Sequence, residues 1–300
     1  MTEREWERAR DPAVMWAFAE PRMTARQRLL FAIGCCRRIW PLLTDPQLRK
    51  LVEIGESVAD GQASRDVLED ADNEVPAPYL YVNWHGLPAS FRHAYFAARA
   101  IAEFEGLRAA ESAANAVETA AAENFAEFHP NHAKIRQLRD RIAAEVSKLD
   151  DYRFRGMTQA SERKAEEVRQ LDAAVQTAIA RLQEEIAAAG REVSAREVGK
   201  EQEAQAELLR CVAGQLHRPA PDFDPAWRTD PVLGIVRQIY DSREFGNLPI
   251  LADALEEAGC SDASILTHCR HRTVHARGCW ILDQIRDWTL PVATSPIRTR

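Results

Sequence analysis

A chain of 300 residues with 46% hydrophobic and 28% charged side chains has the make-up of a folded protein with one generous core or two modest ones, which excludes an intrinsically disordered chain. A net charge of -7 at pH 7 argues against nucleic acid or anionic membrane as a whole-surface partner, though a local basic patch stays open. No apolar run approaches the ~18 residues a bilayer span needs, so no membrane contact is expected.

The opening Met1-Thr2-Glu3-Arg4-Glu5-Trp6 has neither the basic start nor the apolar middle of a secretory signal, so the expected location is cytoplasmic. Six cysteines at irregular spacing, Cys35-Cys36 adjacent, read as thiols in that reducing setting.

Residues 1–72 read as an N-terminal helical module. Thr24 opens a helix whose stripe of Leu29, Leu30, Ile33, Cys36 and Ile39 ends before Pro41. Pro46 suits the first turn of the next helix, with Leu48, Leu51, Val52 and Val58 buried and Gly61 as its stop. Residues 73–93, rich in proline and aromatics, read as a connecting loop with a short strand at Leu80 to Asn83.

Residues 94–217 read as a helical arm. Alanine dominates from Ala94 to Ala126, which predicts one long helix, and Asn131 is the expected cap of the next. Ile135, Leu138, Ile142 and Leu149 fit a heptad seam that Glu145 interrupts. A second seam runs through Val168, Leu171, Val175, Ala178 and Leu182 to Ile186. Because the seams are out of phase, a break near Gly156 predicts two helices folded back on each other. Gly190 and Gly199 are expected soft points. The pairs Arg136–Asp140, Arg141–Glu145, Arg163–Glu167 and Arg181–Glu185 mark a solvated face.

The run Arg218-Pro219-Ala220-Pro221 is the clearest boundary, and residues 218–290 read as a four-helix C-terminal module. Its helices carry Val232 to Tyr240, Leu248 to Leu255, Ile265 with Leu266 behind a cap at Asp262, and Cys279 to Ile285. Residues 291–300 read as a frayed tail. The expected fold is therefore all-α, with N- and C-terminal modules packed together and a long, coiled-coil-like hairpin arm.

Both ends resemble a family of uncharacterised planctomycete proteins that occurs in many paralogous copies. The resemblance lies in Leu30-Phe31-Ala32 with Cys35-Cys36-Arg37-Arg38-Ile39-Trp40, in Leu248-Pro249-Ile250-Leu251-Ala252-Asp253-Ala254-Leu255-Glu256-Glu257-Ala258-Gly259-Cys260, in His268-Cys269-Arg270, and in His275-Ala276-Arg277-Gly278-Cys279-Trp280. It covers about the first 60 and last 85 residues and implies a modular protein with a variable alanine-rich middle, with no established activity to carry over. The chain departs from the family between Ala133 and Lys200, and at His271, where the family more often has a Gly/Pro-rich turn.

The richest chemistry lies between Cys260 and Asp283. His275 and Cys279, four apart, would share a helical face, and His268 or Cys269 approach from the preceding helix. These four suit tetrahedral zinc. The absence of a Cys-x-x-Cys pair favours the plainer alternative, that the cysteines are small core residues. A cysteine nucleophile, either Cys279 activated by His275 or Cys269 by a neighbouring imidazole, with Arg270, Arg272 and Arg277 supplying the charge that lowers the thiol pKa, is a further alternative. It lacks an oxyanion loop. Arg37-Arg38 are expected to pair with acids of the C-terminal module, Asp253, Glu256 and Asp283 being the candidates.

No complete catalytic constellation is present, so the expected role is non-enzymatic: a helical scaffold that binds a protein partner, or a second copy of itself, through Val168, Leu171, Val175, Leu182 and Ile186. A zinc-binding or cysteine-dependent enzyme is the alternative.

Overall fold

The computed structural model describes residues 1–78, 84–217, 223–270 and 274–286, and the long regular elements among them are all helices. In chain order these are α1 (Glu3–Arg8), α2 (Pro12–Ala19), α3 (Ala25–Arg38), α4 (Pro46–Ala59), α5 (Arg65–Glu74), α6 (Ala89–Arg99), α7 (Gly106–Phe128), α8 (Pro130–Phe154), α9 (Thr158–Ala213), α10 (Asp230–Ser242), α11 (Leu248–Glu257), α12 (Ala263–Arg270) and α13 (Trp280–Ile285). The fold is all-α, as the periodicity predicts. Among the described residues no helix is long and apolar enough to cross a membrane.

Local chemistry sets most helix starts. Thr24 accepts from Gln27 N while Gln27 reaches back to the Thr24 backbone, a reciprocal cap that opens α3. Asp45 caps α4 with Pro46 at its first position, and Asp262 Oδ1 accepts from the amides of Ser264 and Ile265 to open α12. The cap of α8 is His129, whose ring accepts from Asn131 N, rather than the expected Asn131. Pro130 already occupies the first helical position, so the cap lies two residues upstream of the expected one.

The chain divides into two compact units, one built from Met1–Val117 and Val198–Arg300, the other from Glu118–Glu197. In the first, α3 is buried on nearly all sides, with Leu29 to Cys36 fully enclosed. Ala109, Ala110, Ala113 and Ala116 of α7, and Ala206, Leu208, Leu209 and Val212 of α9, belong to the same core. The two ends of the stretch expected as arm are therefore part of this unit. A second core layer joins α10 to α13: Val232, Val236 and Ile239 meet Leu248, Leu251 and Leu255, with Ile265, Ile281, Leu282 and Ile285.

The expected single helix over Ala94–Ala126 is two. The chain leaves α6 at Arg99 and turns through Phe104 in the left-handed region (φ 59°) before α7 starts at Gly106. A Cβ at Gly106 would lie 2.2 Å from the Trp16 ring, so this turn is set by how closely the backbone packs on the indole, which composition does not encode.

The second unit is an antiparallel hairpin. α8 and α9 meet at a turn where Gly156 takes φ 69°, the position expected. Ile135, Val175, Ile179 and Ile186 form its core, flanked by Ala126, Leu138, Ile142, Leu171 and Leu182. Glu145, which interrupts the heptad seam, is satisfied across the hairpin by Lys164 Nζ at 2.5 Å. Of the charge pairs expected along this face, Arg181–Glu185 forms at 3.3 Å. Asn131 Nδ2 donates to Glu185, and Ser194 Oγ donates to the Glu118 carbonyl, so pairing runs the length of the unit. Gly190 and Gly199 do not interrupt α9, which is continuous for 56 residues, and a Cβ at Gly190 would lie 3.6 Å from the Phe125 ring. The strand expected at Leu80 to Asn83 and the tail from Pro291 lie outside the described residues.

Candidate functional site

Four side chains converge where α9, α12 and the segment before α13 meet. Cys211, near the end of α9, has its Sγ 3.3 Å from His275 Nδ1 and 4.0 Å from His268 Nε2. His268 Nε2 lies 3.2 Å from Cys279 Sγ. One ligand atom from each of the four falls within 4.8 Å of every other. The two imidazoles stand edge to face, 5.0 Å apart at 73°. Both cysteines are buried and both histidines half-buried, so the sulfurs line the inner side of the cluster.

Three of the four residues that the sequence singles out for a metal, His268, His275 and Cys279, are brought together here. The fourth, Cys269, is not in the group. It follows His268 in α12, and neighbouring helical residues point about 100° apart, so with His268 turned to the cluster Cys269 enters the core beside Ile265 and Leu255. Its place is taken by Cys211. No sequence spacing announces Cys211, which lies 57 residues before His268; its only signal is a cysteine on the apolar stripe of Leu208, Leu209 and Val212.

His275 and Cys279 also converge by a different route from the one their spacing suggests. They do not share a helix: residues 274–279 are non-helical and Cys279 is the N-cap of α13. The curl depends on Gly278, at φ 87°, where a Cβ would lie 2.7 Å from Leu30 Cδ1 of α3.

The proton positions follow from one neighbour. Trp280 Nε1 donates to His268 Nδ1 at 3.1 Å, which leaves Nε2 as the ring's N–H donor, 3.2 Å from Cys279 Sγ. Burial opposes a charge on Cys279, yet the Cys211 hydrogen bond, the His268 charge and hydrogen bonds from both histidines hold this thiol well below its usual range. Burial and the neighbouring Cys279 push Cys211 the other way. Burial likewise raises Cys35, Cys36 and Cys269.

Beside the cluster lies a buried charge network. Arg26 of α3 bonds both oxygens of Asp283 in α13, and Tyr240 donates to Asp60. Glu56 accepts from Arg37 (2.8 and 2.9 Å) and from Arg243. Arg37 also covers the Trp40 ring at 4.0 Å. The expected arginine–carboxylate forks exist with other partners than those named from sequence. Arg37 takes Glu56, Arg38 takes Glu201 at 2.8 Å, Arg26 takes Asp283, and Arg270 takes Asp253 and Glu256. Arg277 lies 3.6 Å from both Glu56 and Asp60, and Arg272 is outside the described residues.

The residues expected to bind a partner lie on the hairpin seam. Val175 and Ile186 are buried in its core, Leu171 and Leu182 pack against it, and Val168 is half-buried. Compared with protein-family models, curated proteins and solved structures, the chain matches none.

Proposed function

We propose that the chain is a non-enzymatic interaction protein whose 118–197 hairpin presents a binding tip. The observation that carries this reading is Phe154, at the last position of α8, with 90% of its surface in solvent. Met157 across the turn is 47% exposed and Val146 38%. A phenylalanine so placed contributes nothing to the hairpin's own core and offers an aromatic anchor of the kind that dominates interface energetics. The seam residues Val175 and Ile186 are spent on intrachain packing, so the partner surface lies at the turn, and the partner is another protein or a second copy. The six buried, unpaired thiols support a cytoplasmic setting. Cys279, buried at 0% exposure, is closed to a substrate, which supports the non-enzymatic reading over a cysteine nucleophile.

Site-specific replacement of Phe154 by a photo-crosslinking aromatic tests this in cells. A discrete adduct of defined mass, lost when Met157 is also changed to Ser, is the expected result. No adduct at this position, with Phe154→Ser leaving solution mass and cellular complexes unchanged, overturns it.

A further inference from the structure

We propose that Cys211, His268, His275 and Cys279 form a closed, four-ligand site for one zinc ion. This goes beyond the interaction reading and stands without it. Zinc takes thiolate sulfur at about 2.3 Å and imidazole nitrogen at about 2.0–2.1 Å in a tetrahedron, which sets sulfur–nitrogen edges of roughly 3.6 Å. The contacts found, 3.2, 3.3 and 4.0 Å, bracket those edges, and all four ligand atoms fit inside 4.8 Å. Sub-ångström adjustments complete the shell.

The charge also balances. Two thiolates and a dication sum to zero, so the filled site adds no net charge to a pocket where Cys279 is 0% and Cys211 1% exposed. Two sulfurs with two imidazoles is a borderline-soft set that suits zinc and disfavours magnesium or calcium, which take oxygen. The half-buried histidines give the ion a route in, past ring edges rather than through the core.

Proton accounting is complete. Both cysteines bind as thiolates, and any thiol proton they carry is released to solvent on binding. His268 ligates through Nε2, so its ring proton moves to Nδ1, where the indole N–H of Trp280 now sits. Binding therefore displaces the Trp280 hydrogen bond. With all four positions taken by protein there is no vacant position for water, so the ion is structural. It ties the end of α9 to α12 and to the start of α13, segments up to 68 residues apart in sequence.

The test uses the full chain purified without a metal-affinity tag from zinc-containing medium. Elemental analysis is expected to give one zinc per chain, removed by a strong chelator with a fall in Tm. Cobalt(II) added to the stripped protein is expected to show the visible bands of a tetrahedral site with thiolate charge transfer. Cys211→Ser and Cys279→Ser each lose the metal, whereas Cys269→Ser, at a buried thiol one residue from His268, retains it. Wild-type protein that holds no zinc and gives no tetrahedral cobalt spectrum overturns the site, whatever the variants do. Retention in Cys211→Ser with loss in Cys269→Ser overturns the ligand set.

Discussion

The guanidinium of Arg26 grips both carboxylate oxygens of Asp283, 257 residues further along the chain, where the arginine side chain is 8% and the aspartate 15% exposed. Removing one partner leaves the other charged and buried, so Arg26→Met is expected to destabilise the protein by about 3–5 kcal/mol. The double variant Arg26→Met with Asp283→Leu recovers a large part of that, because two apolar groups need no compensation. Urea unfolding of the three proteins checks it, and a double variant no better than the single one refutes it.

Two carboxylates of the same network answer to pH with opposite sign. Burial raises Asp60 above its ordinary 3.8, despite the Tyr240 hydrogen bond and the charges of Arg277 and Arg26. Its contribution is thus fully present below 3.8 and lost as pH rises through the raised folded value. Burial also opposes charge on Glu56, but the forks from Arg37 and Arg243 win and lower it below 4.5. Its contribution is present above 4.5 and lost as pH falls through the lowered value. Between about pH 3 and pH 7 the stability of wild type relative to Asp60→Asn should fall, and relative to Glu56→Gln should rise. Parallel slopes in urea titrations would contradict both assignments.

Gly278→Ala meets two penalties at once: a left-handed backbone at φ 87° and a contact of 2.7 Å with Leu30 Cδ1. A loss of about 1–3 kcal/mol is expected, against well under that for Gly234→Ala, where nothing lies within 4 Å of the new carbon. Thermal or urea denaturation of the pair measures the contrast, and equal losses would show that the curl tolerates a side chain.

On the hairpin, hydrogen bonds from Lys148 and Lys164 pull Glu145 down to about 2. Lys164→Ala should return it part of the way toward 4.5, visible as a shifted carboxyl carbon titration in NMR. An unchanged titration would mean that the cross-hairpin contact does not persist in solution.

Trp280→Phe removes the indole N–H that zinc binding has to displace from His268. Zinc affinity, read by competition with a chromogenic chelator, is expected to tighten roughly two- to tenfold, the equivalent of one net hydrogen bond. A weaker affinity would show that the indole supports the ligating ring instead.

Periodicity carried the helices, because an amphipathic stripe such as Leu29 to Ile39 or Val232 to Tyr240 is a one-dimensional signal. It also carried the turn at Gly156, where two seams fall out of phase. Cys211 was illegible for the opposite reason: nothing local distinguishes it from a core cysteine, and its neighbours at the cluster are fixed only when α9 packs against α12. The arginine forks show the same division. Guanidinium chemistry predicts a carboxylate partner, but whether Arg37 finds Glu56 or Asp283 depends on which helices lie alongside α3. The break between α6 and α7 rests on Trp16 contacting a backbone some ninety residues away, which alanine content does not report.

The larger unit is assembled from Met1–Val117 and Val198–Arg300, with a self-closing hairpin between them. On a ribosome adding ~5–20 residues per second, α3 therefore waits on the order of ten seconds for the end of α9 that completes its core, while the hairpin can close soon after both its helical arms emerge. Nascent chains stalled before Val198 hold the whole hairpin segment but lack Leu208, Leu209 and Val212, which share the core of α3.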